Sequence, residues 1–139
     1  MNFNEDALEK MIIETLQNQG YDYQPGEEID RDYHDVLLLS HLENSLSRLN
    51  PNLQENTIFE AIRKIKNLDQ NNLIRNNQEF SRMLHEGVKV PEYTDHGVEY
   101  KTVKLIDYDS INNNEFLVVN QYTIIEHSEK RPDIIIFIN

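Results

Sequence analysis

The last residues of the chain place the strongest constraint on its fold. Ile134 to Ile138 is an unbroken apolar run directly behind Arg131-Pro132-Asp133. A short apolar run that follows a turn signal is typical of a strand covered on both faces of a sheet. Proline fixes φ and donates no backbone hydrogen bond, so it starts such a strand cleanly. We therefore predict a strand over Asp133–Ile138 in the centre of a covered sheet.

The first half of the chain has the periodicity of helices. Apolar residues recur at helical spacing in four segments, and the first of them carries an apolar stripe. The predicted helices are Glu5–Gln19, Tyr33–Leu49, Thr57–Leu68 and Asn71–Glu86, and the stripe of the first consists of Leu8, Met11, Ile12, Thr15 and Leu16. Asn4 is predicted as the N-cap of the first helix and Gly20 as its stop, while Thr57 and Glu60 have the spacing of a capping box.

The second half is rich in residues that favour strands. Val98–Tyr108 and Glu115–Glu126 flank the turn signal Asn112-Asn113-Asn114, so we predict that they pair as a hairpin. Helices followed by a hairpin and a buried strand indicate an α+β or mixed α/β fold with a helix-rich N-terminal half. The pattern contains no linker, so we predict a single domain over residues 1–139 with a helical insertion at about residues 30–87.

Composition narrows the classes of function. The 139 residues include no cysteine, which excludes disulfide scaffolds and zinc–thiolate sites. The formal net charge is −12, whereas DNA binders ordinarily use Lys and Arg to neutralise phosphates, so tight DNA binding by this chain alone is not expected. No apolar stretch is long enough for a membrane span, and the acidic N-terminus does not fit a signal peptide. We predict a cytoplasmic protein with no membrane partner.

Asp133 is the first candidate for a functional side chain. It lies at the start of the predicted buried strand, where a carboxylate is costly unless it binds a metal ion or a hydrogen-bond donor. Mg²⁺ binds one or two carboxylates together with water and substrate phosphate, so one fixed Asp at a strand end suits half of a magnesium site. The alternative is a structural residue that is capped or paired with Arg131.

Segments at both ends of the chain carry a resemblance to a known family. They are Glu5-Asp6-Ala7-Leu8-Glu9, Ile13-Glu14-Thr15-Leu16, Gly20-Tyr21-Asp22-Tyr23, Glu115-Phe116-Leu117-Val118-Val119-Asn120-Gln121-Tyr122 and the residues from Arg131 to Asn139. In their residues and in their order along the chain, these segments resemble the N-terminal nuclease region of the restriction (R) subunit of type I restriction–modification enzymes, in the PD-(D/E)xK superfamily. The resemblance implies a mixed sheet flanked by helices, with Asp133 as a catalytic metal ligand and the helical Glu9 as the best match for a second.

The resemblance also concerns three further polar residues. Asn120 and Gln121 match a pair that recurs in the family's hairpin strand, and with Arg131 they are candidate DNA contacts. The alternatives are a polar cross-strand hydrogen bond for the two amides and an acidic partner for Arg131. The family pattern continues with a Glu-x-Lys triplet, and none follows Asp133 here. We therefore expect a fragment of an endonuclease domain that is itself inactive.

For the parent protein, the resemblance implies Mg²⁺-dependent cleavage of foreign double-stranded DNA. It also implies an ATP-driven translocase motor outside this fragment, together with separate modification and specificity subunits as partners. Two alternatives remain open. One is a stand-alone PD-(D/E)xK-like nuclease that shares Asp133 but has no motor. The other is a non-catalytic interaction domain whose acidic surface docks a partner, consistent with the net charge of −12.

Overall fold

The computed structural model describes residues 4–35, 37–68, 71–125 and 127–139. It consists of two compact units, of which the first comprises Met1–Leu38 and Glu115–Ile138. The second comprises Leu39–Asn114 together with Asn139, so in sequence it is inserted between the two parts of the first. The expected single domain with a helical insertion at residues 30–87 stays a prediction, because compact units and domains are different divisions of a chain.

The described residues form a mixed α/β architecture of helices, a small mixed sheet and two hairpins, which agrees with the predicted class. In chain order the elements are α1 (Glu5–Asn18), β1 (Asp22–Pro25), α2 (Leu39–Leu49), α3 (Glu55–Lys66), α4 (Leu73–Glu86), β2 (Val88–Thr94), β3 (Gly97–Val103), β4 (Phe116–Asn120), β5 (Ile124–Ile125), β6 (Glu129–Lys130) and β7 (Ile134–Ile138). Short 3-10 helices cover Gly26–Glu28 and Ile111–Asn113.

The first unit is built on a three-stranded sheet with the order β1-β4-β7. β4 pairs in parallel with β1 and antiparallel with β7. Its residues Leu117, Val118 and Val119 are all buried, so β4 is covered on both faces, as expected for a central strand. One core cluster consists of Ile29, Leu38, Leu117, Val119 and Tyr122.

The second unit packs helices against a hairpin. The α3 residues Ile58, Ala61, Ile62 and Ile65 are buried, and their spacing places them on one helix face. This helix contacts both α2 and β2, so its buried face helps to join the other helices to the hairpin. β2 pairs antiparallel with β3, and the last pair of the ladder is Thr94 with Gly97.

The predicted strand partners were wrong. Val98–Val103 pairs with β2 and not with the segment that begins at Glu115. The two residues between Thr94 and Gly97 close a tight hairpin, and a short loop costs less entropy to close than a longer connection. Gly97 has a φ of 123°, which an L side chain rarely adopts. The predicted turn at Asn112-Asn113-Asn114 instead overlaps the 3-10 helix Ile111–Asn113.

The last strand has one neighbour among the residues that the structure describes. Ile134–Ile138 forms β7 as expected, but β7 lies at one edge of the described sheet and β4 occupies the centre. Accordingly, Ile136 and Ile138 are 44% and 50% exposed. The apolar run identified a strand correctly, yet an apolar run alone does not distinguish a central strand from an edge strand.

Two helix starts differ from the prediction. α2 begins at Leu39 and not at Tyr33, because residues 33–34 form a turn, while Val36 lies outside the described residues. α3 begins at Glu55 with Gln54 as its N-cap, so Thr57 is inside the helix and the predicted capping box is wrong. The Thr57 hydroxyl instead donates to Glu92 Oε2 at 2.9 Å, which gives this buried polar group a partner.

The inward face of α1 also differs from the predicted stripe. Leu8, Met11 and Ile12 are 48%, 48% and 40% exposed, whereas Ile13 is buried. Glu9 and Leu16 are half-buried. With Ile13 they have the i, i+4, i+7 spacing of one helix face, so Glu9 belongs to the inward face of α1. None of the helices in the described residues is both long and apolar enough to span a membrane.

Candidate active site

The sheet brings Gln121 and Asp133 together. β4 and β7 are antiparallel, and Asn120 pairs with Ile134, so the end of β4 lies beside the start of β7. Gln121 follows the former strand and Asp133 precedes the latter. The Gln121 backbone N–H donates to the Asp133 carbonyl oxygen at 2.9 Å. This backbone hydrogen bond fixes the two residues as neighbours.

Helix α1 supplies the second carboxylate of the site. The helix begins after Asn4, whose side-chain oxygen accepts a hydrogen bond from the Ala7 backbone N–H at 2.9 Å. Glu5 and Asp6 lie in the first turn, where acidic side chains interact favourably with the helix dipole. Glu9 follows on the inward face and reaches the end of β4 through two hydrogen bonds.

Two consecutive amide side chains hold the Glu9 carboxylate. Asn120 Nδ2 donates to Glu9 Oε1 at 2.8 Å, and Gln121 Nε2 donates to Glu9 Oε2 at 3.0 Å. The same Gln121 nitrogen lies 3.5 Å from Asp133 Oδ1, which is the outer limit of a hydrogen bond and a weak contact. The Gln121 amide therefore contacts both of the predicted metal ligands.

The backbone at this point is unusual. Gln121 has a φ of 49°, the one positive value among the non-glycine residues that the structure describes. Such a conformation costs free energy, and it persists where the surrounding structure holds it. The Gln121 and Tyr122 backbone N–H groups supply that restraint, since they donate to the carbonyl oxygens of Asp133 and Pro132.

Gly26 packs closely against the end of β4. Its backbone N–H donates to Asn120 Oδ1 at 3.4 Å. A Cβ at Gly26 would overlap the Asn120 carbonyl oxygen and lie 2.8 Å from that of Gln121. Only a residue without a side chain fits this close approach of two backbone segments. The Asn120 amide therefore makes two contacts, since its oxygen accepts from Gly26 and its nitrogen donates to Glu9.

The candidate site residues that were selected from the sequence line an open cleft within the first unit. Its volume is about 880 Å³, and its lining includes Glu9, Asn120, Gln121, Arg131 and Asp133. All five site residues proposed from the sequence therefore lie along one cleft. Asp133 and Arg131 are exposed, whereas the other three are half-buried. The described residues contain no group of three or more His, Cys, Asp and Glu side chains placed to hold a metal ion.

The electrostatic character of the cleft is acidic. Glu5, Asp6 and Glu14 line it in addition to the two candidate ligands, against the cations Lys10 and Arg131. Tyr23 also lines it, and burial raises the pKa of this phenol, with the negative charges of Glu9 and Glu28 raising it further. Negative potential of this kind favours a bound cation.

Comparison with known proteins identifies the family. The family described as "Type I restriction enzyme R protein N terminus" matches residues 2–139. The chain belongs to this family. Its members include the N-terminal regions of R subunits, so the resemblance of the two ends of the sequence extends across the helical middle. The family assignment by itself does not assign a role to any side chain.

Two curated relatives are type I restriction endonuclease subunits by name. The MjaIXP endonuclease subunit of Methanocaldococcus jannaschii is 36% identical over 149 residues, which cover 98% of this chain and 14% of that protein. The HindI endonuclease subunit of Haemophilus influenzae is 31% identical over 147 residues, with the same two coverages. This R-subunit N-terminal chain thus spans about one seventh of the length of the relatives it matches.

Sequence reasoning missed part of the site. Pro25-Gly26 is only a turn signal in the sequence, and the contact of Gly26 with the end of β4 requires the parallel β1–β4 pairing. Tyr23 belongs to one of the segments that carry the resemblance but was given no site role, and it reaches the cleft because β1 lies beside β4. Glu14 is exposed and also lines the cleft, although nothing in the sequence marked it as part of the site. Parallel pairing between distant segments leaves no local signal in the sequence.

Proposed function

We propose that this chain is the N-terminal part of the DNA endonuclease domain of a type I restriction enzyme R subunit. The observation that carries the proposal is the convergence of Glu9 and Asp133 on the Gln121 amide. The two carboxylates come from a helix and a strand that are more than 100 residues apart in sequence. Clustered carboxylates in a cleft are the groups that a hydrolytic metal site requires.

The two carboxylates suit magnesium as part of its ligand set. Mg²⁺ binds through one or two carboxylates and completes its octahedral shell with water and substrate phosphate. Glu9 Oε2 and Asp133 Oδ1 lie 3.0 Å and 3.5 Å from the same Gln121 nitrogen, so both carboxylates belong to one small region of the cleft. In this proposal Glu9 and Asp133 hold the ion. A bound Mg²⁺ would polarise the scissile phosphate and activate water.

The remaining side chains of the cleft act on the substrate or on the carboxylates. Arg131 is exposed at the cleft beside the Pro132-Asp133 start of β7. Its guanidinium is suited to bind a phosphate oxygen of the DNA backbone. Asn120 and Gln121 were candidate DNA contacts from the sequence. Both amides already donate to Glu9, which reduces their capacity to read DNA.

The partners and cofactors of the parent protein belong to the same proposal. We infer an ATP-driven motor outside this chain, double-stranded DNA as substrate, and modification and specificity subunits as partners, acting in the cytoplasm. The names of the two relatives support a type I enzyme over a stand-alone nuclease, because both are endonuclease subunits of type I restriction enzymes. They equally favour a nuclease over a non-catalytic interaction domain.

The test uses the complete gene product that contains these residues, assembled with its modification and specificity subunits. Asp133→Asn is expected to lower Mg²⁺-dependent cleavage of unmodified plasmid by about a hundredfold or more. ATP hydrolysis by the motor should persist, and the 139-residue chain with Asp133→Asn should keep the Tm of the unmodified chain, which together exclude misfolding as the cause. Asp95→Asn, in the β2–β3 turn, is the matched control and should cleave normally. Normal cleavage by the Asp133→Asn enzyme would contradict the proposal.

A further inference from the structure

The side chains at the end of β4 depart from strand alternation. In an extended strand, successive side chains point to opposite faces. Leu117 and Val119 belong to the core cluster, so Asn120 faces the other way, toward Glu9. Regular alternation would then direct Gln121 into the core and Tyr122 toward Glu9. Instead Gln121 donates to Glu9, and Tyr122 is fully buried in the core cluster.

The positive φ of Gln121 is the physical cause of this departure. At 49° it lies in the left-handed region, where the chain turns sharply and the side-chain alternation shifts by one residue. The shift puts two neighbouring amides on the same side of the chain. It also allows Tyr122 to continue the apolar face of Leu117 and Val119. The unfavourable conformation thus has a specific structural result.

We propose that Asn120 and Gln121 form a two-amide clamp that positions the Glu9 carboxylate for cation binding. Each amide donates to a different Glu9 oxygen, which fixes both the rotamer of Glu9 and the plane of its carboxylate. A carboxylate oxygen has two lone-pair sites, so each Glu9 oxygen keeps one for a cation. In this proposal Asn120 and Gln121 are positioning residues, while contact of either amide with DNA stays an untested prediction.

The clamp is itself supported from its other side. The Gly26 backbone N–H donates to Asn120 Oδ1, which orients the Asn120 amide with its nitrogen toward Glu9. The Gln121 backbone is held by its hydrogen bond to the Asp133 carbonyl oxygen at 2.9 Å. Each amide therefore has a second contact that fixes its direction. Supporting contacts of this kind typically tune the affinity of a metal site.

The inference rests on the proposed function, since it concerns the same carboxylates. The first measurement uses NMR of the 139-residue chain and does not involve metal. The side-chain NH₂ resonances of Asn120 and Gln121 are compared between the unmodified chain and Glu9→Gln. We expect both pairs of resonances to shift, because their acceptor changes from a charged carboxylate to a neutral amide. Unchanged resonances would overturn the clamp, whatever the function of the cleft.

The second measurement is the Mn²⁺ affinity of the same chain by calorimetry. Gln121→Gly keeps the positive φ without strain and deletes the amide alone. We expect it to weaken Mn²⁺ binding about tenfold, the effect of one lost hydrogen bond to a charged metal ligand, without lowering Tm. Gln78→Ala, at an exposed position of α4, is the control for losing a glutamine and should bind as the unmodified chain does.

The outcomes separate the clamp from the proposed function. Glu9→Gln should weaken Mn²⁺ binding, and adding Gln121→Gly to it should have little further effect, because both changes remove one interaction. Fully additive losses, or unchanged affinity in Gln121→Gly, would overturn the clamp and leave the cation site intact. Should the unmodified chain and Asp133→Asn bind Mn²⁺ equally, the proposed cation site is wrong, and with it the clamp's role in cation binding.

Discussion

Gly26 is the residue at which the site is most sensitive to added volume. A Cβ there would overlap the Asn120 carbonyl oxygen and approach that of Gln121, and neither backbone segment can give way as a flexible side chain would. The two carbonyl groups belong to the residues that hold Glu9. Substitution at Gly26 should therefore disturb both the stability of the first unit and the geometry of the cleft.

Gly26→Ala is expected to lower the free energy of unfolding by roughly 2–3 kcal/mol, as for overpacking of a close contact. Gly20→Ala is the comparison, because Gly20 has a positive φ of 98° but no atom within 4 Å of an added Cβ. It should cost about 1 kcal/mol, from the backbone conformation alone. Urea denaturation of both variants measures the two losses of unfolding free energy. Equal losses in Gly26→Ala and Gly20→Ala would show that the close contact at Gly26 has no cost.

Single residues of the site were predictable to different degrees. Asp133 could be selected because proline starts the strand, and Glu9 because it is the best match for the helical Glu that the family resemblance implies. The role of Gln121 could not, since nothing in Asn120-Gln121-Tyr122 indicates a positive φ. Glutamine has no particular preference for that conformation, and tertiary hydrogen bonds impose it.

Asp107 organises the turn that precedes the 3-10 helix Ile111–Asn113. Its carboxylate accepts hydrogen bonds from the Ser110 and Asp109 backbone N–H groups and from the Asn113 amide. These bonds, that of Ser110 first, lower the pKa of Asp107. The native pKa therefore lies below the unfolded value of about 3.9. The resulting stabilisation is present above the unfolded value and is lost as pH falls through the native pKa.

Asp107→Asn should remove this pH dependence. We expect a lower Tm than the unmodified chain at about pH 7, and a smaller drop in Tm between about pH 5 and pH 2. Asp109→Asn changes an exposed neighbouring carboxylate and should leave the pH profile nearly intact. Thermal unfolding followed by circular dichroism gives both profiles. A drop in Tm with acid that is the same in Asp107→Asn and the unmodified chain would contradict the assignment.

At the scale of elements, helix α1 shows how a local signal governs the site. Asn4 has an extended conformation, with φ −81° and ψ 161°, and accepts from the Ala7 N–H as an N-cap does. The helix that it starts carries Glu9 one turn later. Asn4→Ala should lower the unfolding free energy by about 1 kcal/mol, and Asn4→Ser should restore most of it. Equal stability of all three chains would exclude a capping role for Asn4.

Local signals predicted some ends of elements correctly, although the predicted start of α2 and the predicted capping box of α3 were wrong. The pairing of distant segments was not predicted. The cap at Asn4 and the stop of α4 at Gly87, with a φ of 82°, follow from neighbouring residues. The hairpin of β2 with β3 and the central place of β4 depend on which segments meet. Periodicity identifies a strand but not its partner, so Val98–Val103 was assigned to the wrong neighbour.

At the scale of the whole molecule, the negative charge is unevenly distributed. The ranges of the first unit contain fourteen Asp and Glu against four Lys and Arg, whereas those of the second contain eleven against nine. The candidate active site lies in the first and more acidic unit. Acidic groups favour a divalent cation but repel DNA phosphates. In the proposed function, tight binding of DNA must therefore come from other parts of the complex.

Because DNA binding would come from other parts of the complex, a prediction follows for the isolated chain. The purified 139-residue chain should not nick supercoiled plasmid in about 10 mM Mg²⁺. Its net charge of −12 repels the DNA phosphates, and low salt screens this repulsion only weakly. The family resemblance also implies a Glu-x-Lys triplet after Asp133, and the 139 residues to be tested do not contain it. Agarose gel electrophoresis over several hours measures the nicking, with Asp133→Asn as the control for contaminating nuclease. Nicking that requires Asp133 would mean that Glu9 and Asp133 suffice for phosphodiester hydrolysis, because contamination would be unaffected by that substitution.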